Sequence, residues 1–501
     1  MKVNLNDLKL LSPEIFLSVS SLFLLVLSLS KVDVKRIVNL SIISLIITIL
    51  LVCNLWFGWL FEPSSKNSLL GSFSSDNFSL FFKLLILLAS LITVFGSFQY
   101  FVSEKTRNYF GEFISLIFLS IVGMMLLVSS TELITIYVSL ELSALPIIVL
   151  LSIHRTKLGI ESGIKFFILS AFSSAILLYG FIYLYGLTGS TNLLLIQESI
   201  SKMSLNEGYT FITYGIIISI VLIIAGFSFK MAIVPWQMWI PDVYQGAPTP
   251  VAAFLSVASK SSAFAVIIRM FYTSFTNEDL MLDWSLIFAV LAAITMTIGN
   301  LFALNQKNIK RLLGYSTIAQ AGYILIGLAA IPGGNSMNFS GIQGSMYYLG
   351  GYLFTNMSIF IVITIIISRT KDETIEGLSG FIKVSPVYSI ILVVGLLSLI
   401  GMPPTVGFMS KVIIFGFAIN SGYPWLALVG VINSVLAAFY YLRIIRFIVF
   451  EEPSTTKLTQ VHLLRDNRTI LAGAICSILV LLLGIIPFIL LEMSKKAINF
   501  I

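Results

Sequence analysis

Residues 226–270 read GFSFKMAIVPWQMWIPDVYQGAPTPVAAFLSVASKSSAFAVIIRM. Lys230 and Lys260 stand inside apolar runs, separated by a segment that carries Pro235, Pro241, Pro248 and Pro250. A helix that crosses a bilayer takes about 20 apolar residues, so the stretch holds the end of one span, a proline-rich turn and most of the next. A charge at the bilayer centre costs about 2.5–3.5 kcal/mol on insertion scales, which makes each such lysine a candidate functional residue.

The rest of the chain has the same character. Its 501 residues are 57% hydrophobic and 11% charged, with a mean hydropathy of +1.00. A soluble domain carries about 25% charged residues. Lipid is the solvent that suits this composition. Apolar runs at 13–29, 37–57, 78–101, 111–129, 132–151, 164–187, 210–239, 250–275, 284–304, 311–331, 344–368, 386–418, 424–449 and 470–491 predict an all-α polytopic membrane protein of about fourteen transmembrane helices. An even number puts both termini on one side. The odd-numbered loops carry most of the Lys and Arg, from Lys31, Lys35 and Arg36 through Lys310 and Arg311 to Arg465 and Arg468, while the even-numbered loops hold only Lys66 and Lys202. Odd loops are therefore expected on the cytoplasmic side or its organellar equivalent. Topology accounts for the net charge of +7, and no nucleic-acid partner is implied.

Cys53 and Cys476 lie in apolar runs, and His154 and His462 in polar loops. An iron–sulfur cluster needs about four thiolates, so no metal or redox centre is expected in this chain. The opening MKVNLNDLKLLSPEIF, with Asp7 and Glu14, matches neither a transit peptide nor a cleaved signal peptide. Insertion is expected to rely on the first helix.

Four charges are deep by position: Glu141 in the fifth span, Lys230 in the seventh, Lys260 in the eighth and Lys411 in the twelfth. Lys83, Lys165 and Arg269 lie closer to span ends and are read as snorkelling to the interface. Glu132 is nine residues before Glu141, on the opposite helix face at about 100° per residue, and is read as interfacial. Proline removes an i→i−4 bond. Pro235 thus frees a carbonyl just after Lys230, while Pro403 and Pro404 free those of Leu399 and Ile400 ahead of Lys411. Spans seven and twelve are predicted to be discontinuous, the arrangement of a transport site.

The two breaks also share a motif. Gly226-Phe227-Ser228-Phe229-Lys230 and Gly407-Phe408-Met409-Ser410-Lys411 both read G-F-x-x-K. Five spans apart, they run in opposite directions. This predicts two inverted five-helix repeats, with divisions at 1–105 (three leading spans), 106–280 (spans 4–8), 281–455 (spans 9–13) and 456–501 (span 14). Desolvation disfavours a charged lysine and a nearby carboxylate favours it. Movement of Glu141 relative to Lys230 would then load and unload a proton. Lys260 would relay it, and Lys411 would exchange it with the far side. Asp242, in the turn after span seven, is read equally as a packing residue or a gate.

Together with SLELSALP at 139–146, NLFALNQKNIKRLLGYSTIAQAGY at 300–323 and GMPPTVGFMSK at 401–411, the opening stretch resembles the antiporter-like membrane subunits of respiratory complex I, most nearly subunit 2 (subunit N in bacteria). The resemblance covers nearly the whole chain. It implies that Glu141, Lys230, Lys260 and Lys411 carry protons, driven by quinone reduction elsewhere. It implies other complex I subunits as partners, with NADH, FMN, iron–sulfur clusters and ubiquinone held by them and none in this chain. Lipids such as cardiolipin are expected on the outer faces. Relatives often carry a His after the span-seven proline, in P-F-H-x-W, and some carry one near Gln320; here Pro235 is followed by Trp236-Gln237-Met238-Trp239. The animal version lacks the first three helices, which this chain has. With a composition rich in Phe, Ile, Leu and Ser, that favours a mitochondrial inner membrane over a bacterial or thylakoid one, with both termini on the intermembrane-space side. The alternative reading is a subunit of a multisubunit cation/proton antiporter, which shares fold and lysines; a scaffold or a quinone-binding role has less support.

Overall fold

The computed structural model describes residues 5–30, 33–59, 67–68, 71–102, 109–203, 211–330, 340–452 and 467–498. A short helix α1 (Leu5–Leu10) leads into the first three spans, α2 (Ser12–Leu29), α3 (Val34–Phe57) and α4 (Asn77–Val102). Spans four to six are α5 (Phe110–Ser129), α6 (Leu133–Ser152) and α7 (Lys157–Thr188). Span seven is split into α9 (Phe211–Met231) and α10 (Trp239–Gly246), after a small helix α8 (Leu193–Lys202). Span eight is α11 (Thr249–Phe254), a π-helical turn at Leu255–Ser259 and α12 (Lys260–Ser274). Spans nine to eleven are α13 (Glu278–Leu304), α14 (Ile309–Ala329) and α15 (Ser340–Thr370). A turn of helix, α16 (Phe381–Val384), precedes span twelve, split into α17 (Pro386–Ile400) and α18 (Val406–Asn420). Spans thirteen and fourteen are α19 (Pro424–Val449) and α20 (Asn467–Ile485), followed by α21 (Phe488–Ile498).

All fourteen expected spans are helical. Among the described residues thirteen helices are long and apolar enough to cross a membrane, and the twelfth span is made of two shorter apolar pieces. Both expected breaks are present. The run expected at 470–491 ends early, at Ile485, because Pro487 cannot continue the helix. α21 then packs back against α4 and α15, where Gln343 Nε2 donates to Leu491 O at 2.9 Å. α8 escaped the hydropathy reading. It is amphipathic, burying Leu193, Ile196 and Ile200 and exposing Leu194 and Leu195, and Asn192 caps it by accepting from the amides of Leu194 and Leu195.

The helices differ in what surrounds them. Spans eight, ten and eleven are enclosed by protein, whereas spans one, two, six and thirteen each leave a broad apolar face outward. A helix that is apolar all round is stable in either setting. The enclosed trio forms the centre of the molecule, and the candidate lysines lie on it or beside it. On the side of the even-numbered loops, a rim of short pairings ties connections together. β1 (Asn67–Ser68) pairs antiparallel with β2 (Phe73–Ser74), and Gly71 O accepts from Thr131 Oγ1 at 2.6 Å and Asn192 Nδ2 at 3.2 Å. Glu132 belongs to this rim, accepting from Thr135 and Thr191 at 2.8 Å each, which places it at the helix end as expected.

Two charges read as snorkelling are instead fully buried. Lys83 is 0% exposed and pairs with Glu14 of span one at 2.7 Å, with its ammonium 4.8 Å from the centre of the Phe73 ring. Arg269 is 2% exposed and grips Asp76 through two parallel bonds of 2.7 and 2.8 Å. Their partners lie far away in sequence, so no count of residues to a helix end reveals them. Lys165 does reach outward, with its side chain 40% exposed, between Glu161 and Asp242. Burial pushes the Asp76 carboxyl up, but the Arg269 guanidinium and bonds from Ser79 N and Ser74 Oγ outweigh it and hold it below the usual carboxylate range. A depressed carboxylate stabilises above its unfolded pKa and loses that contribution as pH falls through the folded one, so the clamp holds at all pH values above about 4.

Breaking a buried pair by removing one partner costs about 3–5 kcal/mol. Asp76→Asn is therefore expected to loosen span three from span eight. Limited proteolysis in detergent at neutral pH should cut the loop between spans two and three faster than in the wild type, and an unchanged rate would show that the pair contributes little.

Candidate functional site

Glycines set where the broken helices lie. A Cβ at Gly226 would meet Leu177 Cα on α7 at 2.8 Å, and one at Gly407 would lie 1.8 Å from Ser398 O on α17. Only glycine permits these approaches, which gives the first residue of both G-F-x-x-K segments a packing role. Ser173 Oγ also donates to Gly226 O at 2.6 Å, fixing α9 on α7. In span seven the break follows the lysine; in span twelve it precedes the lysine.

Each break is satisfied by protein groups. At the first, Ala232 has φ +73°, Val234 N donates to Thr295 Oγ1 of α13 at 3.2 Å, and Trp239 Nε1 donates to Phe229 O at 3.0 Å. At the second, the Lys411 ammonium donates to Leu399 O at 3.1 Å and Ile400 O at 2.8 Å. These are the two carbonyls that Pro403 and Pro404 release. Gly401, at φ +88°, turns the chain beside them, and a Cβ there would press on Lys411 Cδ at 3.0 Å.

Lys230, Lys260 and Lys411 are all buried, between 2 and 7% exposed. Among the described residues no carboxylate lies within ion-pair distance of any of them. Lys230 Nζ donates to Ser143 Oγ of α6 at 3.1 Å. Glu141, on the same helix and partly exposed, accepts a short bond from Ser174 of α7. The carboxylate and the lysine are thus neighbours that hold separate serines. Lys260 follows directly on the π-helical turn and donates to Thr317 O of α14, with its ammonium 5.5 Å from the centre of the Tyr352 ring. Lys411 Nζ lies 4.9 Å from the centre of the Tyr323 ring. Ring faces and carbonyls solvate an ammonium without fixing its charge.

Between Lys260 and Lys411 runs a chain of hydroxyls and amides that residue counting did not single out. Thr317 Oγ1 and Tyr352 Oη are 3.1 Å apart, Asn356 Nδ2 donates to Tyr352 Oη at 3.2 Å and Ser256 Oγ at 2.6 Å, Tyr348 bonds Gln320, and Tyr348 stacks on Tyr323. Gln320 lies on α14. Its partner Tyr348 comes from α15, so only the fold brings them together. The π-helical turn was equally unmarked in sequence; such turns occur often at functional sites. Asp242 accepts from Lys165 at 2.7 Å and Arg311 at 2.6 Å on the side of the odd-numbered loops.

Comparison with known proteins places this arrangement in a group. The sequence profile described as NADH:quinone oxidoreductase/Mrp antiporter, TM matches residues 130–437. A Dehalococcoides mccartyi protein named NADH-quinone oxidoreductase subunit N is 37% identical over 490 residues, covering 97% of this chain and 98% of its own. A chain of respiratory complex I from Thermus thermophilus has a similar structure, with a TM-score of 0.76, 28% identity and coverage of 96% of this chain and 98% of that one. A chain of the Mrp complex from Dietzia sp. DQ12-45-1b shares the fold at a TM-score of 0.82 and 21% identity, covering 98% and 97%.

Gly407→Ala is expected to force α18 away from α17 and shift Lys411 off its two carbonyls. The measurement is the amount of assembled protein in the membrane after mild heating. Retention equal to the wild type would mean that the helices yield without cost.

Proposed function

Because the chain belongs to the NADH:quinone oxidoreductase/Mrp antiporter family of membrane subunits, we propose that it is an antiporter-like subunit of an NADH:quinone oxidoreductase, moving protons across the membrane through Glu141, Lys230, Lys260 and Lys411. Quinone reduction elsewhere in the assembly drives the movement. The observation that carries this reading is the set of three buried lysines without bonded carboxylates, each held by a serine, carbonyls or an aromatic ring that tolerates both charge states. A lysine locked in a buried ion pair would be a poor carrier, because losing its proton would strand the partner charge.

The chemistry follows from charge and desolvation. A carboxylate brought close to Lys230 favours its ammonium, and withdrawal favours release. Glu141 and Lys230 are poised for such a change, since each holds a serine hydroxyl in place of the other. Lys260 stands next in line, and the tyrosine-lined segment leads from it to Lys411. The segment holds no imidazole, so hydroxyls, amides and water carry the proton there. The shared G-F-x-x-K segments support 106–280 and 281–455 as inverted halves around this path.

NADH, FMN, iron–sulfur clusters and ubiquinone belong in this reading to partner subunits, and anionic lipids such as cardiolipin to the outward apolar faces. Composition supports a mitochondrial inner membrane, while relatives such as the Dehalococcoides protein fit a bacterial one. In either case the Lys- and Arg-bearing loops face the matrix or cytoplasm, with both termini opposite.

Lys230→Ala and Lys411→Ala are each expected to lower proton translocation per NADH oxidised while the subunit still migrates with an NADH-oxidising band on a native gel. Normal proton yield in both variants would rule the mechanism out. Migration in a smaller assembly without NADH oxidation would favour the stand-alone cation/proton antiporter.

A further inference from the structure

The charged cluster around Asp242 lies outside the set of residues assigned to proton movement, yet it is connected to two of them. Asp242 is on α10, the detached second half of span seven. Its carboxylate bonds Lys165 of α7 through one oxygen at 2.7 Å and Arg311 of α14 through the other at 2.6 Å. Arg311 also donates to Gln245 Oε1 at 3.0 Å, and the next residue back, Lys310, donates to Ala247 O at 3.1 Å while pairing with Glu373 at 2.7 Å. Ser162 Oγ donates to Asp242 O at 3.1 Å, and Glu161 pairs with Lys165 at 2.6 Å. α10 is thus gripped along its length by α7 and by the first turn of α14.

Both of those connections run on to a lysine. α10 begins with Trp239, whose indole donates across the break to Phe229 O, the residue before Lys230. Phe166 of α7 packs edge-on against Trp239 at 5.1 Å and at a tilt against Phe229 at 5.5 Å, backing that closure. α14 carries Thr317, whose carbonyl receives the Lys260 ammonium. Arg311 and Thr317 are six residues apart, about 9 Å along one helix. A displacement at Asp242 therefore reaches Lys230 through α10 and Lys260 through α14.

We propose that Asp242, with Arg311 and Lys165, is a positioning residue that holds the half-helix α10 and helix α14 in the register at which Lys230 and Lys260 exchange a proton. The inference rests on the proton-carrying reading of those lysines. The four charges Glu161, Lys165, Asp242 and Arg311 sum to zero. Removing the Asp242 charge leaves two cations, Lys165 and Arg311, facing each other across α10 and takes away its charged tie to α14, while the bonds of Arg311 to Gln245 and of Lys310 to Ala247 O remain and neither proton-carrying lysine is altered. The cluster is partly exposed, with Asp242 33% and Arg311 29% accessible, so salt screens it and weakens the grip.

The test uses the intact complex in sealed liposomes, reading NADH oxidation with quinone, NADH oxidation with a soluble electron acceptor, and the proton gradient. The variants are Asp242→Asn, Arg311→Gln, their double and Asp242→Glu, beside Lys230→Ala and Lys260→Ala. Asp242→Asn and Arg311→Gln should each lower the protons moved per NADH at least about fivefold, the lower end of ordinary coupling between sites. The double variant should be no worse than either single one, Asp242→Glu should recover most of the yield, and oxidation with the soluble acceptor should be unchanged. A full yield in Asp242→Asn, with the lysine variants impaired, overturns the positioning role and leaves the proton-carrying reading standing. Full yields in all six overturn both. If Asp242→Asn prevents assembly, Lys165→Gln replaces it, since it leaves the Arg311 bond in place; a yield unchanged by that variant, at low and high salt alike, overturns the proposal.

Discussion

The Lys411 ammonium sits on the carbonyls of Leu399 and Ile400, and those carbonyls are open because Pro403 and Pro404 follow them. At membrane depth a free carbonyl and a free ammonium are each costly, since no water satisfies them in the hydrocarbon. Placed together they satisfy one another without committing the lysine to a charged partner. Much of the interior obeys the same constraint. Trp239 closes Phe229 O, Thr295 closes Val234 N, and Thr317 offers its carbonyl to Lys260. Spans eight, ten and eleven are enclosed by protein because they carry or face the groups that lipid would not accept.

The molecule handles buried charge in two ways. Arg269 with Asp76 and Lys83 with Glu14 are closed ion pairs on the side of the even-numbered loops. Each ties the leading three spans together or to the remainder, Asp76 holding span three to span eight. Lys230, Lys260 and Lys411 have no such partner among the described residues and rest on serine, carbonyls and ring faces. A closed pair resists a change of charge on either member. An amine on neutral acceptors and rings can give up its proton without leaving a stranded anion behind. Depth alone does not separate the two groups, since Lys83 is as buried as Lys230, Lys260 or Lys411.

The charged cluster on the opposite side works at longer range. Asp242 stands where α7, α10 and the start of α14 meet. A helix interrupted inside a bundle keeps its second half in place only through contacts that half makes for itself. α10 has eight residues, and five of them are buried in the bundle. The cluster, the Ser162 bond and the Trp239 closure together supply what the interrupted backbone lost.

Much of this was readable in the residues alone. Fourteen apolar runs give fourteen spans because lipid leaves the backbone no alternative to helix, and the prolines gave both breaks because a missing N–H acts locally. Depth counted along the chain also found Lys230, Lys260 and Lys411. It misread Lys83 and Arg269, whose partners are 69 and 193 residues away, and it carried span fourteen past Pro487 to 491, where the helix ends at Ile485. It gave no sign of the π-helical turn before Lys260, of the Gln320–Tyr348 bond or of what Asp242 touches. Sequence by itself determined whatever depends on the solvent and on neighbouring residues: the spanning helices, their two breaks and the depth of Lys230, Lys260 and Lys411. Tertiary structure alone decided which buried charges are closed in ion pairs and which rest on neutral groups, because that depends on side chains delivered from helices far apart in the chain.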